Sequence, residues 1–285
     1  MSAYPVASID LAALQHNLKH IKKLAPNSQV ISVIKANAYG HGHIEVAQAL
    51  NDSDAFAVAR LSEALELRQA GIKHKIVLLE GVNTAADLQT AAEHDLSLVF
   101  HHPSQIDLLD TTHITKPFRF CWLMIETGMH RLGFSSDRVA TVLEALDTSG
   151  KIAEPIGLMS HFANADLVND PRNKLQLDKV LSCADKQQEI SMANSAAILS
   201  FPESHQQWLR PGLMLYGVSP FDNKTATDLG LKPVMQLTSV ITSIQQLSKG
   251  DQVGYGGDWI ASESKTVGIV SIGYGDGYSR HLSGV

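Results

Sequence analysis

Residues 32–42 read SVIKANAYGHG, and the reading of this stretch decides the fold. The run Val30–Ile34 is apolar and β-branched, ends on a single lysine, Lys35, and is followed at once by Asn37, Tyr39, Gly40 and Gly42. A lysine at the end of a buried strand is costly unless its amine is bonded or neutralised. An imine to an aldehyde cofactor resolves that cost, because a desolvated amine is reactive towards carbonyls. We therefore expect Lys35 to carry pyridoxal 5'-phosphate. From position alone, a lysine that snorkels from the strand end into solvent fits about as well. The polar, glycine-containing turn tips the balance, since such a turn at a strand end makes a good floor for a ligand.

Outward from this point the chain alternates. Further strand-like runs fall at Phe56–Val58, Ile76–Leu79, Leu96–Phe100, Phe120–Ile125, Pro155–Met159, Ile190–Met192 and Leu213–Tyr216. Helical spacing appears at Ser8–Leu24, Ser62–Ala70, Ala85–Ala92, Ser104–Leu109, Ser136–Leu146 and Lys174–Lys186, with Ser8 or Asp10 as a cap for the first and Gly71 closing the second. Continuous apolar strands separated by helices imply a parallel sheet covered on its outside. Eight of them before residue 220 predict an α/β fold, a (β/α)8 barrel, although pattern alone does not separate it from a doubly wound sheet. The polar segment 163–173 reads as a loop near the barrel mouth. From Leu231 the texture becomes β-rich, at Val234–Ile244 and Thr266–Ile272, without helices between. The expected division is a barrel domain over 1–230 and the start of a mainly β domain over 231–285. Two or three strands are few for an independent domain, so the second is expected to be incomplete.

Composition narrows the function classes. The 285 residues carry 23 basic and 29 acidic side chains, a formal charge of -6, with no basic stripe that would suit a nucleic acid. Cys121 and Cys183 lie far apart, against a disulfide scaffold or a cysteine metal site, and the histidines show no metal spacing, so no metal is expected. No signal peptide and no 18-residue apolar run is evident, and a cytoplasmic protein that neither enters nor crosses a membrane is expected.

Other candidates lie beside predicted strands or in glycine-rich stretches. Tyr39 is placed to donate to a phosphate or to pack half-buried. In ETGMHRLG, residues 126–133, Arg131 offers a fixed fork for a carboxylate or equally a surface cation. His161 follows a buried run and is either an orienting group or a satisfied histidine at the core edge. In MANSAA, Ser195 caps a helix or bonds a phosphate, beside Asn194. Arg210–Pro211–Gly212 leads into LMLYG, where Gly212 permits close approach of a ligand or satisfies a turn. Tyr255, within VGYGG, is an acid/base candidate only if its phenol is activated. GYGDGYSR, residues 273–280, lacks both the Walker ending and the dinucleotide-binding spacing.

Taken in order, SVIKANAYGHG, ETGMHRLG, MANSAA, RPGLMLYG, VGYGG and GYGDGYSR make the chain resemble the bacterial alanine racemases, pyridoxal phosphate enzymes of fold type III. The resemblance implies an N-terminal (β/α)8 barrel, a C-terminal mainly β domain and a head-to-tail homodimer whose sites use both subunits. It implies that L- and D-alanine are interconverted by two bases, supplying D-alanine for peptidoglycan. By resemblance Lys35 is the Schiff-base lysine and one base, and Tyr255 of the opposite subunit is the other. Arg210 answers to the arginine on the pyridine nitrogen, His161 to the histidine linking Arg210 to the tyrosine, and Arg131 to the arginine near the phenolic oxygen and substrate carboxylate. Tyr39, Ser195 and the backbone at Gly212 and Leu213 answer to phosphate contacts. Tyr216, in the same RPGLMLYG motif, is expected to bind cofactor, and Asn194 to support it.

Two departures stand out. Many relatives have a lysine, often carbamylated, seven residues before the motif arginine, and here that residue is Met124. Relatives also continue past residue 285, so weaker dimerisation and reduced activity are expected of this length. The rival expectations are a serine or broad-specificity racemase and a non-catalytic barrel that binds pyridoxal phosphate.

Overall fold

The structure is a computed structural model that describes residues 4–185 and 188–279. Its strands in chain order are β1 (Val6–Ile9), β2 (Gln29–Val33), β3 (Ala55–Val58), β4 (Lys75–Leu78), β5 (Ser97–Phe100), β6 (Trp122–Met124), β7 (Gly157–Met159), β8 (Ile190–Ser191), β9 (Trp208–Leu209), β10 (Met235–Thr238), β11 (Ile241–Leu247), β12 (Gln252–Val253), β13 (Trp259–Ile260) and β14 (Lys265–Val270). Strands β2 to β9 pair in parallel, each with its neighbour, and β9 returns to β2 to close a barrel. The (β/α)8 expectation holds.

The barrel interior follows from the two-residue period of a strand. Ile31 and Val33 of β2, Ala55 and Ala57 of β3, Val77, Val99, Trp122, Met124, Met159 and Trp208 point inward and pack on one another. The alternate residues, among them Val30, Phe56, Ile76, Leu98 and Leu158, are buried under the outer helices. Both faces being covered explains why these strands read as continuous apolar runs. Trp122 and Trp208 meet edge-on with ring centroids 6.2 Å apart. Gly157 makes room for them, because a Cβ there would lie 2.5 Å from the Trp122 ring. Gly71 closes the helix Leu61–Gln69 as expected, at φ +85°, with its N–H on Arg68 O and that of Ile72 on Leu67 O.

Four readings are corrected. Leu213–Tyr216 is a 3-10 turn, and the eighth strand is Trp208–Leu209. Burial of Met214, Leu215 and Tyr216 made the turn look like a strand, while a two-residue strand carries no periodicity to detect. Ser8 and Ile9 belong to β1, so the first helix is Leu11–Leu24. Val234–Ile244 is interrupted into β10 and β11. The helix expected to reach Lys186 is Pro171–Leu181, and Lys186 itself, like Arg280 of GYGDGYSR, lies outside the described residues.

The chain divides into two units, Leu11–Val234 and Met1–Asp10 with Met235–Val285. The first ten residues group with the C-terminal segment and not with the barrel, because β1 pairs antiparallel with β10, Val6 opposite Thr238. In this second unit β11 pairs antiparallel with β14 and β12 with β13. Among the described residues no helix is long and apolar enough to cross a membrane.

Candidate active site

A cavity of about 530 Å³ is lined by the last residues of β2, β6 and β7, namely Val33, Met124 and Met159, and by the segments that follow them. That places it at the C-terminal face of the barrel, where strand ends deliver side chains to one point. Lys35, Tyr39, Arg131, His161, Asn194, Ser195, Arg210, Gly212 and Leu213 all line it. Ala163, Ala165 and Asp166 of the polar 163–173 segment do so as well.

Lys35 is half-buried and makes no hydrogen bond or ion pair among the described residues. The turn after it is left-handed: Ala36, Asn37, Ala38 and Tyr39 have φ of 52°, 53°, 53° and 55°. Such a conformation costs L-residues roughly 1–2 kcal/mol each, so a run of four requires support. Glu63 supplies part of it, its carboxylate accepting from Ala36 N at 2.6 Å and from Ala59 N and Arg60 N at 2.9 and 3.0 Å. Asn37 Oδ1 accepts from His43 N at 3.0 Å and lies 2.9 Å from His43 Nδ1. Sequence reading expected a tight turn here but not its hand, because no glycine occupies 36–39, and it missed Glu63.

The turn carries the Tyr39 phenol to Gly212. A Cβ at Gly212 would sit 2.8 Å from Tyr39 Oη, so the glycine is needed for this close approach. Tyr216 is corrected: it is buried, does not line the cavity, and donates its hydroxyl to Val33 O at 3.0 Å. Its ring lies 5.0 Å from that of Tyr39 and acts as packing behind it.

Ser195 opens the short helix Ser195–Ser200, but Asn194 is its cap, with Asn194 Oδ1 accepting from Ala197 N at 3.1 Å. Ser195 Oγ instead accepts from Gly212 N at 3.0 Å and Met214 N at 3.2 Å. A hydroxyl has two acceptor positions and one proton. With both acceptor positions filled, Ser195 presents only a donor to the cavity, which suits an anion.

Arg210 is 4% exposed. Its Nη1 donates to Ser191 Oγ at 2.6 Å, and its Nη2 donates to Ser160 O and lies 3.3 Å from His161 Nδ1. Burial, and then the like charge of Arg131, pulls its pKa down to about 9, which leaves it cationic at neutral pH. Arginine has no acceptor, so His161 Nδ1 must be the bare nitrogen and Nε2 the one that carries hydrogen. Burial first, then Arg210, Arg131 and Lys35, pushes the His161 pKa down to about 3, so the ring is neutral. Ser160 and Ser191 went unrecognised. Their only sequence signal is a polar residue at the end of an apolar strand run.

Arg131 is exposed to the cavity and makes no hydrogen bond or ion pair among the described residues. Glu126 is not its partner. That carboxylate accepts from Gly128 N and from His130 N at 3.0 Å. Burial alone would raise its pKa, but these N–H groups and the His130 charge hold it below the usual range. Met124 is buried beside the same cavity. Tyr255 belongs to the other unit, in the turn Tyr255–Gly257, and is 86% exposed.

This set fits pyridoxal phosphate: a free amine for its aldehyde, a donor-only hydroxyl and a cradle kept open by Gly212 for its phosphate, and a buried cation for its ring nitrogen. Among the described residues no group of three or more His, Cys, Asp or Glu is placed to hold a metal ion.

Comparison with known proteins agrees with this geometry. The family model for the alanine racemase N-terminal domain matches residues 9–220, and that for the C-terminal domain matches residues 234–285. An alanine racemase of Nitrosococcus oceani is 48% identical over 278 residues, covering 98% of this chain and 78% of the relative. The crystal structure of the biosynthetic alanine racemase from Pseudomonas aeruginosa superposes with a TM-score of 0.93 at 42% identity, over 97% of this chain and 77% of that one. The alanine racemase of Acinetobacter baumannii gives 0.87 at 39% identity, over 96% of this chain and 77% of that one. With both of its segments matched and the barrel cavity assembled from the expected residues, this chain belongs to the alanine racemase family.

Proposed function

We propose that the protein interconverts L- and D-alanine with pyridoxal 5'-phosphate, using Lys35 and Tyr255 as the two bases. The observation that carries the reading is the convergence on one cavity of an unpartnered primary amine, Lys35, and a donor-only hydroxyl, Ser195. When bound, the cofactor supplies an electron-withdrawing ring that stabilises negative charge at the substrate Cα. Lys35 holds it through Nζ and exchanges the Cα proton on one face. Ser195 and Tyr39 donate to the phosphate, with backbone at Gly212 and Leu213 alongside. Arg210, held by Ser191 and Ser160, keeps a full positive charge against the ring nitrogen. As a poor proton donor it would leave the ring nitrogen unprotonated, which would limit how much negative charge the ring takes up and restrain side reactions. Arg131 offers its free fork to the substrate carboxylate.

Tyr255 of the partner subunit serves the opposite face of Cα. Its 86% exposure leaves the phenol free to meet another surface. Two bases on opposite faces invert the centre without the substrate having to turn over. A homodimer, a cytoplasmic setting and the supply of D-alanine for peptidoglycan follow from the same reading. The test is racemisation in deuterated water with added cofactor, for the unaltered chain and for Lys35→Ala and Tyr255→Phe. Each substitution is expected to impair proton exchange from one enantiomer more than from the other. Equal activity in all three proteins would overturn the assignment.

A further inference from the structure

The loop after β6 carries Arg131 and is pinned at its ends, Phe134 N donating to Met124 O and Glu126 N to Phe134 O, while the loop after β7 carries His161 and starts with Ser160 N on Ser191 O. One side chain reaches both. Gln176, on the helix Pro171–Leu181, is 3% exposed. Its Nε2 donates to Thr127 Oγ1 at 3.0 Å and to His161 O at 3.1 Å, and its Oε1 accepts from Ala163 N at 3.0 Å. The amide orientation is settled by chemistry, because a backbone N–H bonds only to oxygen and a carbonyl only to the NH2 group. Thr127 Oγ1 in turn lies 2.9 Å from Ser160 Oγ, and Ser160 O accepts from Arg210.

We propose that Gln176 is a positioning residue for the racemase site, its one amide clamping the Arg131 loop to the His161 loop. The inference rests on the racemase reading for its kinetic consequence. The helix that carries Gln176 is itself fixed at its start: Asp170 accepts from Arg172 N at 2.9 Å, and Asn173 Nδ2 donates to Asn164 O and Leu167 O, both at 3.1 Å. The clamp therefore ties the Arg131 loop to the helix Pro171–Leu181 as well as to the His161 loop. Displacements of about 1 Å in groups that orient a substrate cost on the order of 100-fold in rate. Gln176 touches neither substrate nor reacting atoms, so its effect passes entirely through Arg131 and His161.

The experiment compares the unaltered chain with Gln176→Met, which keeps the volume and removes every hydrogen bond, and with Gln176→Glu. The readouts are circular dichroism, KM and kcat for alanine with pyridoxal phosphate, and the His161 ring tautomer from nitrogen NMR on histidine-labelled protein without cofactor, assigned by its loss in His161→Gln. Gln176→Met is expected to stay folded, lose roughly 10- to 100-fold in kcat, raise KM several-fold, and lose the single Nε2–H tautomer. Gln176→Glu is expected to recover part of the activity, since it still accepts from Ala163 N and from the Thr127 hydroxyl. A residue that only stabilised the fold would lower the active fraction and leave KM and the tautomer alone. A folded Gln176→Met with unchanged KM and an unchanged tautomer overturns the proposal. Should Gln176→Met fail to fold, Thr127→Val cuts the Arg131 arm alone, and an unchanged KM there overturns it equally. If the unaltered chain racemises nothing, the racemase reading fails by itself. The clamp then stands or falls on whether the tautomer is lost in Gln176→Met.

Discussion

Ser195→Ala tests the phosphate cradle and the local fold with one substitution. The hydroxyl accepts from Gly212 N and Met214 N, and its position is 5% exposed, so alanine leaves two backbone N–H groups without a partner. Each buried unsatisfied group costs about 1–3 kcal/mol, so the loss is about 2–6 kcal/mol without cofactor. That is a large part of a stability usually near 5–15 kcal/mol. At about 2–4 °C per kcal/mol for a chain of this class, the melting temperature should fall by roughly 5–20 °C. The same oxygen has only its proton left for the cofactor. A hydrogen bond to a charged acceptor is worth about 1.5–3 kcal/mol, so the Kd for pyridoxal phosphate should rise roughly 10- to 150-fold. Thermal denaturation of the cofactor-free chain reads the first effect, and an absorbance titration with pyridoxal phosphate reads the second. A large loss of stability with less than a threefold change in Kd would refute the argument that this hydroxyl is aimed at an anion. Unchanged stability would refute its role as acceptor.

Met124→Lys should lower the KM for alanine or raise kcat in bicarbonate-containing buffer, because a carbamate on that lysine would give the unpaired Arg131 an acidic neighbour. Unchanged kinetics with the carbamate confirmed by mass spectrometry would reject this account of Met124. His161 should make folding pH-dependent. Its folded pKa, about 3, lies below the ordinary value of 6.5, so the unfolded chain takes up the extra proton between them. The folded state is therefore at full strength above pH 6.5 and loses about 1.4 kcal/mol per pH unit as pH falls towards 3. Melting temperatures across that range should fall less steeply for His161→Gln, and parallel curves would count against a neutral buried ring.

The barrel was legible because its strands are covered on both sides. Runs such as Val30–Ile34 and Ile76–Leu79 need only be apolar, and the helices between them carry their own period. The eighth strand escaped because closure needs only Gln29 opposite Trp208 and Val30 opposite Leu209, and two residues show no pattern. The four left-handed residues after Lys35 escaped for a different reason. Their conformation is imposed from outside the segment, by Glu63 and His43, so the local sequence ANAY holds no record of it.

The candidate site divides in the same way. Among residues that present chemistry to the cavity, Lys35 stood out because a charged side chain at the end of an apolar strand is unusual, and Arg131 and Arg210 because they sit in the motifs ETGMHRLG and RPGLMLYG. Residues that hold them, such as Ser160, Ser191 and Gln176, are ordinary polar side chains whose importance lies in the other end of a hydrogen bond. Tyr216 shows the converse error, since a tyrosine beside a glycine motif looked like a ligand while its hydroxyl is taken by Val33 O. Sequence thus marks the groups that face the cavity and hides the ones that aim them. Rate lost without loss of cofactor should accordingly map to this second set, with Gln176 first among them because its one amide bonds to both the Arg131 loop and the His161 loop.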